Sequence, residues 1–142
     1  MNADPYRLDR FVEAQDGVYA GVLGELRAGR KTSHWMWFVF PQVAGLGSSP
    51  TSRFYAVASL DEARAYLEHP VLGPRLTDCV EAVLSHADRT AREILGSPDD
   101  VKLRSSMTLF VLAAGPDTPF QLVLDAFFKG ERDTRTVDLL AG

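Results

Sequence analysis

The chain has 142 residues, of which 46% are apolar and 24% are charged, and its formal net charge is −4. This size and composition fit one globular domain, residues 1–142, and exclude a disordered chain. The negative balance argues against nucleic-acid binding, which requires a basic surface.

The first predicted elements are helices. Apolar residues recur at helical spacing over residues 8–26, and Asp16-Gly17 predicts a division of this stretch into two helices. Gly29 predicts the end of the second helix. Ser59 and Glu62 form a capping-box pattern, in which the hydroxyl accepts from a first-turn amide and the carboxylate reaches back. The helix that they open should end at His69, because Pro70 follows it.

The second half of the chain predicts further helices. An apolar stripe over residues 72–84 predicts a long one. A helix that is apolar nearly all round at residues 107–114 should run through the core. The remaining signals are Thr90 and Gly96 at the ends of a short helix, Ser97-Pro98 at a helix start, Asp117 as a cap, Gly130 as a stop, and residues 134–140 as a last short helix or part of a loose tail.

Two aromatic segments interrupt this helical pattern. Residues 35–40 and 54–58 are aromatic and β-branched, and the stretch GLGSSPTS lies between them. Residue chemistry alone would allow a β-hairpin here, although the joining loop is long for one. The fold class predicted from the whole pattern is mainly α, a compact single-domain multihelical bundle with an irregular aromatic segment.

Cysteine, histidine and hydropathy bear on cofactors and location. Cys79 is the only cysteine, which excludes an intramolecular disulfide and a thiolate-rich zinc site. His34, His69 and His86 show no metal-ligand spacing. No secretory signal is visible, and the longest apolar run, residues 35–41, is far short of the roughly 20 residues that cross a bilayer. We therefore predict a cytoplasmic protein with no metal, cofactor or membrane partner, and leave its oligomeric state open.

The stretch GELRAGRKT resembles a phosphate-binding P-loop only superficially. Arg30 separates Gly29 from Lys31, and a helix leads into the stretch where a P-loop needs a strand. The structural interpretation is a helix C-terminus, where basic side chains are favourable. The sequence also allows a local basic patch, formed by Arg27, Arg30, Lys31 and His34.

The neighbouring stretch KTSHWMWFVFPQ combines aromatic mass with hydrogen-bonding groups. His34 is a candidate acid–base group, and Trp35 and Trp37 offer flat faces to a flat ligand. The structural alternative makes the tryptophans core residues, with Ser33 and Gln42 as partners of their indole nitrogens.

A second polar group opens the apolar helix in DDVKLRSSMTLF. On a helical wheel Lys102, Ser105 and Ser106 share one face, which suits an anion. In the structural alternative Lys102 pairs with Asp99 or Asp100, and the hydroxyls bond to the preceding turn.

Four stretches carry a resemblance to a known family: KTSHWMWFVFPQVAGLGSS, ELRAG before it, and EHPVLGPRL and DDVKLRSSMTLF after it. They are similar to the bacterial family called domain of unknown function 1810, and to its mycobacterial members in particular, over residues 8–139. The resemblance implies a compact, predominantly α-helical domain, a short helical or irregular segment in place of the hairpin, and no established activity. Its motif blocks contain Glu25, Lys31, Ser33, His34, Trp35, Gln42, Gly45 and Gly47, and then Lys102, Ser106 and Thr108.

We predict a site for a small anionic or nucleotide-like ligand, such as an NAD or ADP-ribose derivative, with hydrolysis left open. The candidate acid–base residues are Glu25 and His34. The candidate ligand-binding residues are Lys31, Ser33, Trp35, Trp37, Gln42, Lys102 and Ser106. This hypothesis requires Lys31, His34 and Lys102 to share one concavity. The alternative is a non-catalytic binding or regulatory module, with the aromatic motif as core and the loop at residues 45–49 as contact surface.

Overall fold

The fold is built from helices, as the sequence pattern predicts. A computed structural model describes residues 4–141, so residues 1–3 and 142 of the predicted domain lie outside the described range. Within that range the helices are α1 Asp9–Asp16, α2 Tyr19–Arg27, α3 Met36–Val39, α4 Pro50–Phe54, α5 Leu60–Glu68, α6 Leu72–Leu84, α7 Ala91–Leu95, α8 Asp99–Ala114, α9 Pro119–Phe128 and α10 Thr134–Ala141.

Helix α8 runs through the centre of the core. It contacts α5, α7, α9 and α10. Its buried positions form an unbroken run from Ser105 to Val111, preceded by Leu103. A helix buried on all sides has no solvent face to keep polar, which explains why its sequence lacks a one-sided apolar stripe.

Most helix boundaries follow the sequence signals. Helices α1 and α2 are separated at Gly17-Val18, and α2 ends before Gly29, whose φ of 76° is one that glycine adopts without strain. Helix α5 ends at Glu68, and His69 is already extended. Thr90 and Glu93 form a complete capping box at α7.

Two predicted caps were wrong by one residue. Helix α8 begins at Asp99 with Pro98 in the cap position, so Ser97 is not its N-cap. Helix α9 begins at Pro119, and Thr118, not Asp117, occupies the cap position. In the second case the proline takes the first helical position, which moves the cap to the residue immediately before it.

The capping box at α5 was only half right. The Ser59 hydroxyl accepts from the Glu62 amide at 3.1 Å, as predicted. The Glu62 carboxylate instead accepts from the amide of Ala58 at 3.0 Å and pairs with Arg10 at 2.7 Å. The buried ion pair therefore links α5 to α1.

The β-hairpin that residue chemistry alone would allow does not form among the described residues, and the short helical segment implied by the family resemblance is confirmed. Residues 36–39 form α3, and within residues 4–141 one isolated parallel bridge, between Val43 and Val57, links the stretch after α3 to the second aromatic segment. Val57 donates to the carbonyl of Gln42 at 2.9 Å and accepts from the amide of Ala44 at 2.8 Å. The intervening loop then enters α4 through the Ser49 cap and Pro50.

Candidate functional site

The motif segment between α2 and α3 is held by the carboxylate of Glu25. That carboxylate accepts from the amides of Thr32 and Ser33 at 2.7 and 3.0 Å, from the Ser33 hydroxyl at 2.7 Å and from the Trp35 indole nitrogen at 3.0 Å. Partial burial acts to raise the pKa of Glu25, but these hydrogen bonds outweigh it and hold the pKa at about 2. A carboxylate with four donors and so low a pKa is a weak proton acceptor, so this geometry favours a structural role for Glu25.

The partner of the Trp35 indole differs from the one expected. The structural alternative assigned Ser33 or Gln42, whereas Glu25 accepts the indole N–H. Trp35 is 2% exposed and belongs to the core. Trp37, two residues on, is only partly buried.

The two polar regions of the sequence meet at Asp99. The Asp99 carboxylate lies 2.8 Å from the Lys31 ammonium and 3.6 Å from that of Lys102. Each lysine also lies over an indole ring, Lys31 at 5.1 Å from the Trp35 centroid and Lys102 at 5.0 Å from that of Trp37. One ion pair, Lys31–Asp99, and one cation–π contact, Lys102–Trp37, therefore hold the start of α8 against the motif segment.

The two lysines differ in accessibility. The Lys31 side chain is 7% exposed, and the Lys102 side chain is 26% exposed with the longer ion pair. The amide of Lys31 also donates to the carbonyl of Ile94 at 2.7 Å, which ties the residue to α7. Lys31 is thus held mainly by protein groups, whereas Lys102 has room for an external partner.

A cavity of about 380 Å³, which we call the motif cavity, opens at this junction. It brings together six of the nine predicted residues, namely Lys31, Ser33, His34, Trp35, Trp37 and Lys102. The requirement that Lys31, His34 and Lys102 share one concavity is therefore met. Pro98 and Asp99 complete the wall on the α8 side.

The other three predicted residues lie elsewhere. Gln42 lines an adjoining cavity of about 400 Å³. Glu25 lines a third cavity of about 310 Å³, which shares Ser33, His34 and Trp35 with the motif cavity. Ser106 lies in the core with no exposed surface, and its hydroxyl has no hydrogen-bond partner among the described residues. Ser106 lines none of these three cavities.

The hydroxyls of α8 behave largely as the structural alternative expected. Ser105 donates to the Val101 carbonyl at 3.3 Å, and Thr108 donates to that of Arg104 at 2.8 Å. Lys102 pairs with Asp99 three residues before it. The sequence signal for this pair was visible, but the second partner of Asp99, Lys31, was not.

A wider depression of about 900 Å³ between the N-terminal segment and α5 contains none of the predicted site residues. Within residues 4–141, no group of three His, Cys, Asp or Glu side chains is placed to hold a metal ion. None of the helices found in that range has the length and apolar character needed to span a bilayer.

Comparisons with known proteins agree with the fold but assign no activity. No curated protein matches the chain. A solved structure described as that of the conserved hypothetical protein Rv1873 from Mycobacterium tuberculosis is 54% identical, with a TM-score of 0.95 over 98% of this chain and 99% of the other. The model of the family described as "Protein of unknown function (DUF1810)" matches residues 5–140. Since this match spans nearly the whole chain, the protein belongs to the DUF1810 family.

Proposed function

We propose that this protein binds a small anionic, nucleotide-like ligand in the motif cavity, with Lys102 as the main contact for the anionic group. The observation that carries the proposal is the pair of lysines brought to one cavity from regions about seventy residues apart in the sequence. Lys31 and Lys102 with Asp99 leave an excess of one positive charge there. Such a surplus beside an aromatic wall suits an anion attached to a flat or apolar group.

The proposal is one of binding. Glu25 is saturated with donors, so His34, which is exposed at the rim, is the acid–base candidate that remains for a hydrolytic reaction. The hydroxyls of Thr32, Ser33 and Ser97 also line the motif cavity, but none is hydrogen-bonded to His34 among the described residues, and the Ser33 hydroxyl donates to Glu25. The carboxylate in that lining, Asp99, is paired with both lysines. This arrangement supports recognition better than turnover.

A thermal-shift screen tests the proposal. The wild-type protein is heated with inorganic phosphate, pyrophosphate, AMP, NAD, ADP-ribose and sugar phosphates in turn. A ligand at a hundred times its dissociation constant adds about 2.7 kcal/mol to the stability of the folded state, which is readily seen. We expect at least one phosphate compound to raise the melting temperature.

The variant that locates the site is Lys102→Met. Lys31→Ala is less suitable, because Lys31 is mostly buried and its loss would disturb the fold. The matched control is Lys129→Met, which removes the same charge at an exposed position after α9. The shift should disappear in Lys102→Met and persist in Lys129→Met. No shift with any compound, or an equal shift in both variants, would refute the proposal.

A further inference from the structure

A second cavity adjoins the motif cavity and shares Trp37, Pro98 and Lys102 with it. We call it the loop cavity, because its outer wall is the loop at residues 46–49. Its volume is about 400 Å³, within the usual range for a small-molecule site. Lys102 lies at the boundary, so a group bound to its ammonium has access to both cavities.

The loop cavity differs from the motif cavity in its polar groups. Gln42 lines it, and the carboxamide of Gln42 takes no part in the hydrogen bonds formed among residues 4–141, whereas its backbone carbonyl accepts from Val57. Arg135 also lines it, and among the described residues its side chain makes a single long hydrogen bond, of 3.4 Å, to the Gly45 carbonyl. A carboxamide both donates and accepts, as a hydroxyl does, so Gln42 suits a partner rich in hydroxyl groups.

Asp133 is the acidic residue in the lining of the loop cavity, and its carboxylate accepts hydrogen bonds from neighbouring residues. One oxygen of the Asp133 carboxylate accepts from the amide of Thr136 at 3.1 Å and from the hydroxyl of the same threonine. It also lies 3.2 Å from the Ser105 hydroxyl, whose one proton it shares with the Val101 carbonyl. Asp133 thus serves the first turn of α10. Lys102 and Arg135 therefore line the loop cavity together with a carboxylate that is already hydrogen-bonded to other residues.

Backbone hydrogen bonds and two glycines shape the wall of the loop cavity. The bonds between Val57 and the backbone of Gln42 and Ala44 fix its base. Gly45 has a φ of 102°, a conformation that other residues adopt only with strain. Gly47 packs so closely on Ser52 that an added Cβ would lie 2.5 Å from its hydroxyl oxygen. A preformed wall lowers the entropy cost of binding.

Building on the proposed function, we infer that the ligand has two parts and is a phosphorylated sugar or a nucleoside phosphate. Its phosphate lies at Lys102, where the cavities meet, and its sugar occupies the loop cavity. The sugar hydroxyls bond to the carboxamide of Gln42, and the apolar face of the ring packs on Trp37 and Leu46, which line the same cavity. Few oriented polar groups on an apolar wall are typical of specific small-molecule sites.

Isothermal titration calorimetry tests this inference with inorganic phosphate, ribose 5-phosphate and ribose. We expect ribose 5-phosphate to bind the wild-type protein at least about tenfold more tightly than phosphate, which corresponds to about 1.4 kcal/mol. Gln42→Leu should remove this advantage and leave phosphate binding unchanged. Gly47→Ala, which crowds Ser52 and alters the wall, should have the same selective effect.

The outcomes separate this inference from the proposed function. If phosphate binds through Lys102 but ribose 5-phosphate binds no more tightly, the two-part ligand is wrong and the anion site stands. The same holds if Gln42→Leu weakens both compounds equally. If no phosphate compound binds, both proposals fail. Gln42→Leu retains the backbone bonds of residue 42, and a thermal melt of the free variant confirms that it folds.

Discussion

Glu25 organises the motif segment more than any other residue does. Its carboxylate gathers donors from Thr32, Ser33 and Trp35, which turns the chain from the end of α2 toward α3. Each hydrogen bond to a charged group contributes more than one between neutral groups. The wall of the motif cavity therefore depends on the ionised state of a residue that does not line that cavity.

The first prediction concerns the pH dependence of this arrangement. In the folded protein the pKa of Glu25 is about 2, below its ordinary value of 4.5. Its contribution to stability is therefore complete above about pH 5 and is lost as the pH falls toward 2. Glu25→Gln should lower the free energy of unfolding by about 1–2 kcal/mol at pH 7, a range reduced because the site is partly exposed.

Urea denaturation of the wild type and Glu25→Gln at pH 7, 5 and 3 measures this effect. The difference between the two proteins should shrink as the pH falls. A difference that stays constant over this range would show that the variant disturbs packing and that the charge is not responsible.

At the scale of single residues, the sequence indicated that the indole nitrogen of Trp35 needs a hydrogen-bond partner, but it did not identify Glu25 as that partner. Glu25 precedes Trp35 by ten residues, and whether they meet depends on the path of the turn at Gly29. No local pattern encodes that path. The residue type alone pointed to acid–base chemistry, whereas the surrounding donors favour a structural role.

Among the elements, α8 places similar hydroxyl groups in opposite situations. Thr108 donates to Arg104 and accepts from the amide of Asp133 at 2.9 Å, which joins α8 to the start of α10. Ser106, two residues earlier, has a buried hydroxyl with no partner among the described residues. A buried polar group without a partner is unfavourable, and a bridging one is not.

The second prediction follows from this contrast. Thr108→Val retains the shape of the side chain but leaves the amide of Asp133 unpaired, and should lower the free energy of unfolding by about 1–3 kcal/mol. Ser106→Ala removes a hydroxyl that bonds to nothing in the described chain, and should leave stability unchanged or increase it. Chemical denaturation of both variants checks the pair. A larger loss for Ser106→Ala would reveal a role for its hydroxyl that the core geometry lacks.

Helix boundaries were predicted to within one residue where glycine, proline or a capping side chain marks them. The ends of α2 and α5 and the start of α7 are of this kind. The aromatic segment at residues 35–40 was not, because a short apolar run fits a strand and a buried helical turn equally well. Whether this segment forms a strand or a helical turn depends on contacts between residues far apart in the sequence, such as the bridge between Val43 and Val57.

Across the whole molecule, one chain of aromatic rings connects the motif to the far side of the core. Neighbouring ring centroids are between 5.2 and 5.8 Å apart along this chain. The rings belong, in order, to Phe38, Tyr55, Phe11, Tyr66, Phe110 and Phe120. Such continuous packing favours cooperative unfolding of the segments that it joins.

The third prediction tests this cooperativity. Phe110 lies on α8 with no exposed surface, and Phe110→Ala should lower the free energy of unfolding by about 3–5 kcal/mol. Circular dichroism measures the loss of helix during unfolding. Chemical modification of Cys79 is a second probe of unfolding, because burial raises the pKa of this thiol to about 12 and makes it unreactive in the folded state.

The two signals should change together in the wild type and in the variant. Phe110→Leu is the milder control if the alanine variant does not fold. Modification of Cys79 well before the loss of helix would contradict a single cooperative unit.

The assembly of the candidate site is the part that the sequence could not specify. Lys31 and Lys102 were each recognised, and Asp99 was considered only as a local partner of Lys102. Their meeting depends on how α7 and α8 pack beside the motif, and such long-range contacts leave no periodic signal. Arg135 was missed for the same reason, since α10 approaches the loop at residues 45–49 only in the folded chain.

Trp35 and Trp37 are the only tryptophans of the chain, and both line the motif cavity. One is sealed in the core, and the other is partly open to solvent beside Lys102. All the tryptophan fluorescence of the protein therefore originates at the motif cavity. Iodide should quench the fluorescence of Trp37 and leave that of Trp35 unchanged. A compound that enters the motif cavity should therefore change the intrinsic fluorescence of the protein or its quenching by iodide.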